Sequence, residues 1–129
     1  MGETQWSGIS GLGQVAINAR DIERATRFYR DVLGLQFLFP AGKMAFFTCG
    51  GVSLMLSLPE EPEYDHAASI LYFTVDDVAA SQAVLAARGV EFRSAAHPVH
   101  RTEDKELWMT FFRDSEGNTL ALQGWRPRA

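Results

Sequence analysis

Apolar and polar positions along the chain follow two rhythms, and the pair of rhythms occurs twice. Val15-Ala16-Ile17-Asn18-Ala19 alternates with a period of two, which predicts a strand, and Asp21 follows as a candidate helix cap. From Ile22 to Leu33 the apolar residues Ile22, Ala25, Phe28, Tyr29, Val32 and Leu33 recur at helical spacing. Gly34 ends that helix, and Leu35-Gln36-Phe37-Leu38-Phe39 begins another strand. The second copy starts 55 residues later. Ile70 to Val75 predicts a strand, Asp76 a cap, Asp77 to Arg88 a helix, Gly89 its stop and Val90-Glu91-Phe92 a further strand. Asp21 and Gly34, like Asp76 and Gly89, lie 13 positions apart. Later, Phe46-Phe47 and Leu54 to Leu56 correspond to Phe111-Phe112 and Leu120 to Leu122. Each half therefore reads as strand, helix and three strands.

Strand alternation assigns faces. Val15 and Ile17 oppose Gln14, Ala16 and Asn18, and Leu54 and Leu56 oppose Ser53, Met55 and Ser57. Leu71, Phe73 and Val75 oppose Ile70, Tyr72 and Thr74, while Leu120 and Leu122 oppose Thr119, Ala121 and Gln123. An aliphatic face is expected beneath the helices, and the mixed face is expected to line a cleft. The facing of the aromatic residues in 43–48 and 107–113 is left open by the pattern.

Composition narrows the function. The chain has 129 residues, 47% of them apolar and 22% charged, an ordinary balance for one folded domain. Twelve Lys and Arg against sixteen Asp and Glu give a net charge of -4. That argues against nucleic acid, whose binding rests on cations displacing counterions. No apolar run has the length of a membrane span, and residues 1–8 lack the pattern of a secretory signal, so a cytoplasmic location is expected. Cys49 is the sole cysteine, which excludes an internal disulfide and suits a buried thiol acting as a small hydrophobe.

Asn18-Ala19-Arg20-Asp21 followed by Phe28-Tyr29-Arg30-Asp31-Val32-Leu33-Gly34-Leu35 resembles the first module of the vicinal oxygen chelate superfamily, which includes glyoxalase I, extradiol dioxygenases and bleomycin-binding resistance proteins. Phe112-Arg113-Asp114-Ser115-Glu116-Gly117-Asn118 resembles the hairpin turn near the family's carboxyl end. The resemblance implies an α+β fold of two βαβββ modules, about 10–58 and 68–125, joined by a linker at 59–67 and curving around a cleft, commonly as a homodimer. It also implies four inward strand positions for the ligands of a divalent metal. These match Gln14, Met55, Ile70 (Ser69 in the strict repeat register) and Ala121. A thioether suits hard cations poorly, and Ile and Ala have no ligand atom, so no metal or other cofactor is expected.

Two functions follow. The first is metal-independent sequestration of an apolar or aromatic small molecule, with Gln14, Met55, Tyr72 and Trp108 as ligand contacts. The alternative is a lyase, isomerase or oxygenase using a divalent metal or His100 as base, with Glu106 as its partner. Both residues lie in 97–106, which reads as a charged loop holding two imidazoles and three carboxylates. His66 sits in the linker. Arg20, Arg24, Arg27 and Arg30 read as a solvated helix face with local ion pairs and no binding role.

Overall fold

A computed structural model describes residues 6–128. The first module comprises β1 (Gln14–Asn18), α1 (Ile22–Arg27), β2 (Gln36–Ala41), β3 (Met44–Cys49) and β4 (Val52–Ser57). The second comprises β5 (Leu71–Thr74), α2 (Val78–Ala87), β6 (His97–Arg101), β7 (Lys105–Arg113) and β8 (Thr119–Pro127). Each module folds into one four-stranded sheet, ordered β1-β4-β3-β2 and β5-β8-β7-β6. β1 pairs with β4 and β5 with β8 in parallel, and the remaining pairs are antiparallel. The expected α+β architecture of two βαβββ modules is the one found.

The helices depart from the expected repeat by one residue. Asp21 caps α1 by accepting from the Arg24 N–H at 3.0 Å, whereas α2 is capped by Asp77, not Asp76, through the Ala80 N–H at 3.0 Å. From cap to stop glycine the second helix is thus one residue shorter than the first. The extra residue of the first is absorbed as a π turn over Phe28–Val32, directly after α1. Gly34 and Gly89 close both copies with φ of 78° and 92°, the left-handed geometry a helix stop uses.

The strand expected at Val90-Glu91-Phe92 does not form. Phe92 makes one isolated bridge, to Phe112, and the next strand begins only at His97. Between them the Arg93 N–H donates to Phe111 O at 3.2 Å, and side chains hold the backbone that follows. The Gln82 amide donates to Ser94 O at 2.9 Å and accepts from Ala96 N–H at 2.8 Å, and Thr110 Oγ1 donates to Ser94 O at 3.1 Å. With those groups satisfied, no sheet ladder is required there. The segment 97–106, read as a loop, is the β6–β7 hairpin.

One core runs under both helices. Ile17, Phe47 and Leu56 of the first sheet, Phe112 and Leu120 of the second, and Tyr29 of the π turn are at most 1% exposed and belong to one cluster with Val78 and Leu85 of α2. Burying each of the large aliphatic or aromatic side chains contributes about 1.5–3 kcal/mol. The Arg88 guanidinium, just past α2, donates to Val32 O in the π turn at 2.7 Å. The helices therefore share one side of the molecule, and the uncovered faces of both sheets look the other way. Gly124 allows β8 to approach the chain after β5, since a Cβ there would collide with Val75 O.

Candidate functional site

The two uncovered sheet faces carry the mixed side chains anticipated from alternation. On the first sheet, registered pairing sets Ala16, Met55, Phe46 and Phe39 in one row across β1, β4, β3 and β2. Phe39 and Phe46 stack with ring centroids 4.8 Å apart. On the second, Tyr72, Ala121 and Phe111 form a row across β5, β8 and β7. The Tyr72 and Phe111 rings meet edge to face at 5.8 Å, with Ala121 fully buried beside them. Phe46 and Phe111 thus face away from the helices, while Phe47 and Phe112 enter the core; packing decided what the pattern left open.

The four positions that the resemblance assigns to metal ligands lie on or beside these faces, and their chemistry does not suit a hard cation. Gln14 directs its amide N–H toward Met55 Sδ at 3.9 Å, Ile70 is half-exposed, and Ala121 offers no donor. One amide and one thioether do not make a coordination sphere. Among the described residues, no group of three His, Cys, Asp or Glu side chains stands together as a metal site would require.

The remaining anticipated site residues separate. Trp108 lies on the helix-covered side of β7, in register with Gly124 and packed against the core, not on the face that carries Tyr72. Its indole N–H donates to Glu106 Oε1 at 3.1 Å, and the Arg126 guanidinium lies 4.4 Å from its ring centroid. Met109, the next residue, takes the open face. Glu106 also accepts from Arg101 Nε at 2.7 Å. Those two hydrogen bonds, Trp108 first and then Arg101, hold its carboxyl below the ordinary range. His100 pairs in register with Leu107, so it points to the opposite face from Glu106, and its ring meets Trp125 edge on at 6.2 Å. The hairpin alternation that follows from a two-residue side-chain period keeps His100 and Glu106 from forming an acid–base pair.

The linker supplies contacts that sequence reading did not assign. Asn18 on the open face of β1 donates its amide to Tyr64 O at 2.9 Å and His66 O at 3.0 Å. This draws the Pro62–Tyr64 turn across the first sheet and encloses a hollow of about 390 Å³. Met44, Met55, Ser57, Tyr64 and His66 are among its walls. The sequence signal for Met44 was its place opposite Ser57 in a β3–β4 hairpin, which needs the register to be known.

Arg24 was read as part of a solvated face, yet it reaches Glu116, 92 residues away, through Nε–Oε2 at 2.7 Å and Nη2–Oε1 at 3.1 Å. Glu116 Oε1 also accepts the Arg20 and Asp21 N–H groups at 2.7 and 2.8 Å. Burial would raise the Glu116 pKa, but the Arg24, Asp21, Ser115 and Arg20 hydrogen bonds prevail and lower it to about 2. Beside it, Asp114 accepts from the Tyr29 hydroxyl at 2.6 Å and from Asn118 Nδ2 at 2.8 Å. These contacts join the β7–β8 turn to the start of α1 and to the π turn.

Comparison with known proteins agrees with this architecture. Residues 11–122 match the family model described as Glyoxalase/Bleomycin resistance protein/Dioxygenase superfamily. No curated protein sequence matches the chain. Among solved structures, lactoylglutathione lyase from Agrobacterium tumefaciens superposes with a TM-score of 0.75 at 24% identity, over 91% of this chain and 95% of that one. A superfamily member from Sphaerobacter thermophilus gives 0.74 at 22% identity, over 90% and 98%. Another, from Alicyclobacillus acidocaldarius, gives 0.69 at 19% identity, over 93% and 95%. At these identities the likeness is one of fold. No helix among the described residues is long and apolar enough to cross a membrane. With its duplicated βαβββ sheets and a family match over most of its length, the chain belongs to the glyoxalase/bleomycin resistance protein/dioxygenase superfamily.

Proposed function

We propose that this protein binds a small apolar or aromatic organic molecule on its open sheet faces without a metal ion. The observation that carries the reading is the content of the four ligand positions, Gln14, Met55, Ile70 and Ala121, set among Phe46, Tyr72 and Phe111. A surface of thioether, aromatic edges and one amide favours dispersion and ring stacking over cation binding. Gln14 and Tyr72 supply hydrogen bonds that orient the ligand, and Met55 packs against it. Trp108 acts from behind, by supporting β7. A second copy of the chain closes the exposed faces in this reading, which sedimentation of the purified protein tests.

The enzyme alternative rests on a divalent metal or on His100 as base, without Glu106 as partner, since Glu106 is turned to the other face. On this reading, calorimetric titration with Zn²⁺, Ni²⁺ and Mn²⁺ is expected to give no stoichiometric isotherm for the native chain. Triple replacement of Met55 by Glu, Ile70 by His and Ala121 by Glu restores ligand atoms at the other three positions the family uses and is expected to create one. A panel of planar aromatic compounds, followed by intrinsic fluorescence, identifies the ligand, and Tyr72→Ala weakens its binding about tenfold, or 1.4 kcal/mol. Tight metal binding by the native chain, with turnover lost in His100→Ala, would instead establish the enzyme.

A further inference from the structure

The repeat gives the molecule two equivalent junctions between its modules, and only one is filled. In the first, the β7–β8 turn of the second module sits against the start of α1, and Glu116 fills the space beside Arg20, Asp21 and Arg24. In the second, the β3–β4 turn of the first module faces the start of α2. Matching the caps Asp21 and Asp77 places Asp76 where Arg20 stands and Ala80 where Arg24 stands. Matching Phe47 with Phe112 places Cys49 where Asp114 stands and Gly50-Gly51 where the turn carries Glu116. No side chain enters from that turn. A groove of about 650 Å³ remains, and Asp76, Asp77, Ala80 and Cys49 are among its walls.

The groove has a directed chemistry. Along α2, Ser81, Val84 and Leu85 make one wall, and Leu33, Leu35 and Phe73 face it. Asp76 and Asp77 lie at one end. Arg88 lies at the other, about 16 Å away along the helix, with its guanidinium donating to Val32 O. An anion beside Asp76 would lack the arginine that compensates Glu116 in the first junction and would meet two carboxylates. A cation meets attraction from both. The positive end of α2 is already offset by Asp77, which accepts the Ala80 N–H.

We infer that this groove is a second binding site, on the helix side of the molecule and separate from the open sheet faces, for an arylalkyl ammonium compound. Its ammonium group sits at Asp76 and Asp77, and its ring lies between Val84 and Leu35. No covalent step is involved.

Cys49 is the only cysteine and lines the groove, so its reactivity reports occupancy. The test measures the rate at which dithiodipyridine modifies Cys49 in the full-length protein, with phenethylamine, 3-phenylpropanol or 3-phenylpropionate as probe. Phenethylamine at four times its dissociation constant slows modification about fivefold, and the rate falls hyperbolically with its concentration. The alcohol protects more weakly and the carboxylate least. Asp76→Asn removes the preference for the amine, and Ser81→Trp fills the groove and abolishes protection, while both variants keep the native circular dichroism spectrum and melting transition. Unchanged Cys49 reactivity at every amine concentration would overturn the site, as would amine protection that survives Ser81→Trp. Equal or greater protection by the carboxylate would overturn the assigned ligand class. Because Cys49 lies on the helix-covered side of β3, ligands of the open sheet faces do not give this signal.

Discussion

The two junctions descend from one repeated pattern and have diverged in how they satisfy it. The junction at α1 is polar and closed. Asp114 is 7% exposed, the Glu116 side chain 1%, and together they accept hydrogen bonds from Tyr29, Arg20, Asp21, Arg24 and Asn118. The junction at α2 replaces Tyr29 with Leu85 and Asp114 with Cys49, and leaves Val84 half-exposed. A buried polar network stabilises only when every member finds a partner, and the closed junction meets that condition, with no buried side-chain nitrogen or oxygen left without one among the described residues. The apolar copy carries no such obligation. One junction can therefore fix the relation of the modules while the other stays free for a ligand.

The largest expected contrast comes from truncating equivalent residues. Asp114→Ala leaves the Tyr29 hydroxyl and the turn N–H groups of Glu116 and Asn118 without their acceptor, and should lower stability by about 3 kcal/mol in urea denaturation. Cys49→Ala, at the matching position, should cost under about 1 kcal/mol, because no hydrogen bond is lost. If both variants lose equal stability, the closed junction does not hold the modules together. Tyr29→Phe probes the same network from the other side and should cost about 2 kcal/mol. Burial first, and then the charge of Asp114, keeps that hydroxyl protonated well beyond the ordinary tyrosine range.

Glu116→Gln should have a smaller effect at neutral pH, about 1 kcal/mol, since the amide oxygen still caps the Arg20 and Asp21 N–H groups. Its signature lies in acid. The folded pKa of about 2 is below the ordinary 4.5, so the contribution of the carboxylate is complete above about pH 4.5 and is lost as pH falls through 2. Stability of the native chain therefore declines over that window, and the slope flattens in Glu116→Gln. An identical slope in both proteins would show that the bonds to Glu116 do not stabilise the fold. Least of all, Val84→Ala in the open groove should change the free energy of unfolding in urea by no more than about 0.5 kcal/mol.

How much of this was legible from residues alone differs between fold and site. Both helices, their glycine stops, the aliphatic faces and the duplicated βαβββ order are local or periodic features, and each was readable from spacing. The strand at Val90–Phe92 does not form because the Val90 N–H turns back to Leu85 O at the helix end, leaving only Phe92 and Arg93 to meet β7 before the Gln82 amide takes over the backbone groups of Ser94 and Ala96. The one-residue offset between the helices was hidden because Asp76 and Asp77 are adjacent and either could cap. For the site, Gln14, Met55 and Tyr72 were placed on the open face by strand period. Trp108 and the pairing of His100 with Glu106 were not, since an aromatic or titratable side chain fits either face of a strand until the register is fixed.

The sequence by itself determined the repeat, the alternation that builds two sheets, and the side-chain chemistry at Gln14, Met55, Ile70 and Ala121, where only the Gln14 amide oxygen is a hard donor, since that chemistry does not depend on folding. Tertiary structure alone decided that Arg24 meets Glu116, that Tyr29 meets Asp114, and that the matching space beside α2 stays open. Those outcomes turn on contacts between residues tens of positions apart. A period of two or of 3.6 residues carries information only along the chain, and the distance between a turn in one module and a helix in the other is set by how the whole core packs.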